Sequence, residues 1–174
     1  MKVCVLGDSH GVRLSAYQGV INKKISNISL RWVVKGGAHV IYNKQRAQLA
    51  SHFDIAIIMT GGNDLVGRSP ESVAESIKEL SIMLLNVGVK AVLVMSFQPR
   101  ASQDYNLKAK YLNELLFNSF PVSQFRESGI LFWFWDRRIP KALCDGTHMY
   151  PVGYRRSANY LASAIHFVKR EMNK

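Results

Sequence analysis

Short apolar runs alternate with stretches of helical periodicity along the chain. Residues 2–6, "KVCVL", are apolar and β-branched and stop at Gly7, which predicts a buried strand. Val12, Leu14, Tyr17, Val20, Ile21 and Ile25 recur at near-helical spacing and predict a helix over 12–26. "SLRWVV" (29–34) predicts a second strand, closed by Gly36 and Gly37, and a helix follows over 39–51. "FDIAIIMT" (53–60) is continuously apolar, as in a strand covered on both faces. Ser69 and Pro70 predict a helix start, because a hydroxyl caps the turn and proline suits the first helical position. Val73, Ile77, Leu80, Leu84 and Val87 mark its buried stripe, and Gly88 ends it. Strands over 89–97 and 129–135 and helices over 104–118 and 153–172 complete the pattern, with 119–128 read as loop with room for a helical turn. Five repeats of strand then helix predict a parallel sheet between two helical layers.

The 174 residues suit one domain over 1–174. No apolar run approaches the length of a membrane span. The first strand begins too early to leave room for a signal peptide, so a cytoplasmic, intracellular setting is expected. Cys4 and Cys144 offer neither a disulfide framework nor zinc spacing, and packing is expected for both. A net charge of +11 favours an anionic partner, RNA or an anionic membrane surface. The basic residues are dispersed, however, and a solvated basic surface accounts for them equally well.

In such a sheet ligands bind beyond the carboxyl ends of the strands. Candidate chemistry gathers there. "VLGDSHG" (5–11) follows the first strand and admits three readings. As G-x-S-x-G it is a nucleophile elbow exposing Ser9. As Asp-x-His, through Asp8 and His10, it resembles the first ligand motif of binuclear metallophosphoesterases. As Gly-Asp-Ser near the N-terminus it resembles the first block of a serine-hydrolase family. The elbow fold needs earlier strands to supply an oxyanion donor, and only residues 1–6 precede Ser9. The metal reading needs a Gly-Asn-His turn; the third strand ends instead in Gly61-Gly62-Asn63-Asp64, so no metal is expected. Gly36-Gly37 follows the second strand, and Asp145-Gly146-Thr147-His148 precedes the last helix. A hydroxyl, amide donors, an imidazole and a carboxylate are the parts acyl transfer requires.

Ser9 in "GDSH", Gly37 in "KGGAH", Asn63 in "TGGND" and Asp145 with His148 in "DGTH" resemble, in order and spacing, the SGNH (GDSL-type) hydrolases. The resemblance spans nearly the whole chain. It implies a three-layer α/β/α sandwich with a five-stranded parallel sheet, flavodoxin-like in plan. It implies a serine esterase that needs no cofactor, with Ser9 as nucleophile, His148 as base and Asp145 orienting the imidazole. The implied oxyanion hole is the amides of Ser9 and Gly37 with the Asn63 side chain. The glycine doublet leaves Gly36 open as an alternative to Gly37. Asp8 becomes loop support.

Several stretches, "FDIAIIMTGGNDL" and "LCDGTHMYPVGYRRSANYLASAI" among them, are further similar to esterase domains of animal non-LTR retrotransposons. That likeness implies a small ester or lipid substrate, acetyl esters included, and a ribonucleoprotein setting. A second class of function is an RNA- or anionic-lipid-binding module on the same scaffold. His10 and His39, beside these motifs, have no assigned role and are candidates for substrate contact. "LFWFW" (131–135) is read as a strand buried on both faces, and the Trp135-to-Pro140 segment, with Arg137 and Arg138, as a wall of the pocket.

Overall fold

The computed structural model describes residues 1–135 and 145–174. Cys144, Arg137 and Arg138, and with them most of the expected pocket wall, lie outside the described residues. Five parallel strands form one sheet: β1 (Lys2–Gly7), β2 (Ser29–Val34), β3 (Ile55–Met59), β4 (Ala91–Met95) and β5 (Ile130–Trp133). Their spatial order is β2-β1-β3-β4-β5. The winding reverses between β1 and β3, and at such a switch point the loops diverge and leave a crevice.

The helices are α1 (Ser9–Ser15), α2 (Gln18–Lys24), α3 (Val40–Lys44), α4 (Pro70–Asn86), α5 (Gln103–Ser119), α6 (Phe125–Ser128) and α7 (Pro151–Met172). They cover both sheet faces, which is why the strands read as unbroken apolar runs. Alternate strand residues serve opposite layers. Cys4, Leu6, Ala56, Ile58, Val92 and Val94 pack with Ile77, Leu80, Leu84, Leu112 and Leu116 of α4 and α5. Val3, Val5, Ile55, Ile57 and Leu93 pack with Leu14, Ile21, Leu161 and Ile165 of α1, α2 and α7. The expected three-layer sandwich is what the chain forms.

The differences are local. The helix expected over 12–26 begins at Ser9 and divides into α1 and α2. The Tyr17 N–H donates to Leu14 O, three residues back, so the α-helical ladder tightens and breaks there. Tyr17 thereby stacks on Tyr154 of α7, ring centres 6.3 Å apart. The helix expected over 39–51 likewise divides into α3 and a 3₁₀ turn, Ala47–Ala50. Ser69 accepts the Ser72 N–H, as its capping position predicts. β5 is an edge strand, and the aromatic run outlasts it: Phe134 is 44% exposed and rests on Phe117 and Phe132. No described helix is long and apolar enough to cross a membrane.

Candidate active site

β1 delivers Ser9. Gly7, the last residue of β1, lies in register with Val34 of β2 and Met59 of β3. A Cβ on Gly7 would stand 3.2 Å from Met59 O, so the strand ends approach closely only because this position is bare. Asp8 then turns the chain. Its N–H donates to Met59 O (3.2 Å), and its Oδ1 accepts the His10 N–H (2.9 Å), capping α1. Ser9 is the first residue of α1 and adopts no left-handed backbone, unlike a strained elbow. Gly11 serves packing: a Cβ there would stand 2.8 Å from Val34 Cγ1.

The loop before α7 delivers the imidazole. Asp145 Oδ1 accepts the backbone N–H groups of Thr147 (3.0 Å) and His148 (2.8 Å), folding the Asp-Gly-Thr-His stretch back on itself. Gly146 takes φ +77° in that turn. Asp145 Oδ2 is left 2.8 Å from His148 Nδ1, and His148 Nε2 lies 2.8 Å from Ser9 Oγ. A carboxylate only accepts, so Nδ1 carries the proton and Nε2 accepts from the Ser9 hydroxyl. Carboxylate, imidazole and hydroxyl thus form one line across 139 residues of sequence. The hydrogen bond from His148, with the two backbone donors, holds the Asp145 carboxyl well below the usual carboxylate range. Arg13 of α1 stands 3.6 Å from the same Oδ2.

The other two loops meet beside Ser9. Lys35 N–H donates to Gly7 O (3.2 Å), and the Lys35–Ala38 turn closes through a 3.1 Å bond. Gly37 takes φ +71° there, where a side chain would be strained. Among the described residues the backbone N–H groups of Ser9 and Gly37 have no hydrogen-bond acceptor. Asn63, after β3, donates through Nδ2 to Ala38 O (3.1 Å), which ties the third loop to the second. Asp64 strengthens that tie. It is buried, its Oδ2 accepts the Val40 N–H (3.0 Å), and Arg68 stands 3.3 Å from its Oδ1. His39, more than half exposed, lies 3.5 Å from Asp64 Oδ2 at the rim of this loop.

Arg100 and Tyr154 carry no local sequence mark, while His10 and Asp64 stand in quoted motifs with no place in the hydrolase set. Arg100 donates to Asn63 Oδ1 (3.2 Å) and lies over the Tyr105 ring. Tyr154 OH lies 3.0 Å from His10 Nδ1. His10 packs its ring 5.3 Å from that of His148, and burial pushes its imidazole down to about 3, so it stays neutral. Asp64, beside Asn63, anchors α3. A small cleft, about 40 Å³, is lined by neighbours of the site residues, including Asp8, His10, Gly62 and Met149. Among the described residues no three His, Cys, Asp or Glu side chains gather as a metal site. Asp8 and His10 are instead engaged with the backbone and with Tyr154.

No protein-family profile and no curated protein sequence matches the chain. Solved structures match throughout its length. A GDSL-like lipase from Bacteroides thetaiotaomicron superposes with a TM-score of 0.76 at 16% identity, covering 95% of this chain and 87% of that one. A member of the lipolytic G-D-S-L family from Veillonella parvula gives 0.75 at 19%, covering 94% and 97%. A psychrotrophic esterase from Pseudoalteromonas gives 0.66 at 14%, covering 99% of both. At these identities the likeness is one of fold: the chain has the α/β fold of the GDSL-type hydrolases.

Proposed function

We propose that the protein is a serine ester hydrolase acting through Ser9, His148 and Asp145. The observation that carries this reading is the unbroken line from Asp145 Oδ2 through His148 to Ser9 Oγ, with both bonds 2.8 Å. Ser9 Oγ attacks the ester carbonyl carbon as His148 Nε2 takes its proton. Asp145, ionised because His148 and two backbone donors hold it so, stabilises the imidazolium that forms. The carbonyl oxygen becomes an oxyanion, received by the N–H groups of Ser9 and Gly37 and the second N–H of Asn63 Nδ2. Collapse breaks the ester bond, and His148 returns the proton to the departing alcohol. Water then repeats the sequence on the acyl-enzyme and frees the acid.

The short loops after β3 (60–69) and β4 (96–102) support a short acyl group such as acetyl. The likeness to retrotransposon esterase domains supports a setting beside RNA, in the cytoplasm. Ser9→Ala is expected to abolish turnover of short-chain nitrophenyl esters, and retained turnover would overturn the assignment. The Pseudoalteromonas esterase is inhibited by monoethylphosphonate. A reactive ethylphosphonate is accordingly expected to label this protein once, on Ser9, as read by peptide mass.

The charge of +11 favours a second reading, a module that binds RNA or anionic lipid on this scaffold. Lys23 and Lys24 of α2 and Arg155 and Arg156 of α7 are exposed.

A further inference from the structure

Of the three candidate oxyanion donors, Asn63 alone offers a side chain. That makes it the donor that can fail. A half-turn of its terminal amide would exchange N–H for C=O and aim an acceptor at the oxyanion. Two neighbours oppose that turn. Ala38 O, which only accepts, lies 3.1 Å from Nδ2. The Arg100 guanidinium, which only donates, reaches Oδ1 at 3.2 Å through Nη2. Both ends of the amide are therefore read, and one N–H of Nδ2 is left to point elsewhere.

Arg100 is itself held in place. Its backbone N–H donates to Asn106 Oδ1, and its carbonyl accepts from Asn106 Nδ2, both at 2.7 Å. Its guanidinium carbon lies 4.3 Å from the centre of the Tyr105 ring. It passes against Gly62, where a Cβ would stand 2.9 Å from Nη2. The second glycine of "TGGND" is bare at the point where the guanidinium crosses.

We propose that Arg100 is a positioning residue for the oxyanion hole: its guanidinium fixes the orientation of the Asn63 amide and polarises it toward N–H donation. A cation hydrogen-bonded to the carbonyl end draws electron density from the amide nitrogen, which makes the remaining N–H a stronger donor. The gain appears only as negative charge develops on the substrate oxygen. This inference rests on the esterase reading above.

A double-mutant cycle on nitrophenyl acetate tests it. Arg100→Met is expected to lower kcat about 10- to 100-fold, less than removal of a donor outright, with KM changed less than about twofold. In an Asn63→Ala background the same Arg100→Met change is expected to cost less than about twofold, because the group it acts through is gone. Arg100→Lys, which keeps a donor and the ring contact, is expected to recover part of kcat. A purely structural Arg100 would cost the same in both backgrounds, and that result would overturn the proposal; so would a loss confined to KM. If Arg100→Met does not fold, Arg100→Gln and Arg100→Lys carry the same cycle. Ser9→Ala separates the two levels. Turnover that survives Ser9→Ala overturns the esterase reading and this role with it. A dead Ser9→Ala beside an additive cycle overturns the role of Arg100 alone.

Discussion

A carboxyl group only 3% exposed sits one residue before Ser9. Burial pushes Asp8 up to about 6 from 3.8, against the opposing pull of the His10 N–H and of Arg100. Between those two values the folded protein holds a proton that the unfolded chain has released. Stability therefore falls as pH rises from about 4 to about 6 and stays lower above that. Asp8→Asn keeps a capping oxygen for the His10 N–H but cannot ionise. Its stability relative to the parent is expected to rise across this window, by about 1–3 kcal/mol between pH 4 and pH 7. Thermal melts of both proteins at the two pH values measure it, and parallel curves would refute it. Asp145 contrasts with Asp8. Its carboxyl is ionised well below the usual range, so it contributes no acid limb to activity near neutral pH.

At the scale of elements, α5 carries more of the site than its place suggests. Asn106 and Asn113 stand two turns apart on it, and both reach back to the loop after β4. Asn113 Oδ1 accepts the Phe97 N–H (2.8 Å), while Asn106 holds both backbone groups of Arg100. Loss of a side chain that satisfies two part-buried backbone groups costs about 1–3 kcal/mol. Asn106→Ala is expected to lose that much in denaturant melts, and to lower kcat more than Asn113→Ala does, because Arg100 hangs from the first clamp.

Here the limits of the sequence become physical. Ser9, Asn63, Asp145 and His148 were legible as candidates because each lies in a short motif, after a strand for Ser9 and Asn63 and before the last helix for Asp145 and His148. The Asn63–Ala38 bond joins the second and third loops, already predicted to lie on one edge. Arg100 was not legible, because its partner is 37 residues away and no local spacing marks the pair. The available signal was indirect: a second glycine beside Asn63, and polar Gln98 and Arg100 just past an apolar strand. His10, without a role once the metal reading fell, lies against Tyr154, 144 residues on, and the His148 ring. The strands were clear because burial on both faces enforces apolar runs. The break between α1 and α2 was hidden, because Leu14 and Ile21 lie one above the other on a straight helix and on a broken one alike.

For the whole molecule, charge decides between the two functional readings. If the basic surface binds RNA, affinity is expected to fall about tenfold or more between about 50 and about 200 mM salt. Ser9→Ala should bind as tightly as the parent, since the nucleophile plays no part in that contact. Absence of RNA binding at low salt would remove the module reading. Binding confined to anionic vesicles would turn it toward lipid.

The line from Ser9 to His148 also joins the first strand of the sheet to the threshold of its last helix. On the proposed function, a chain cut before residue 145 keeps the Ser9 hydroxyl and lacks the His148 imidazole that would take its proton. Removal of the segment from residue 145 onward is therefore expected to abolish ester turnover even where the sheet keeps its five strands.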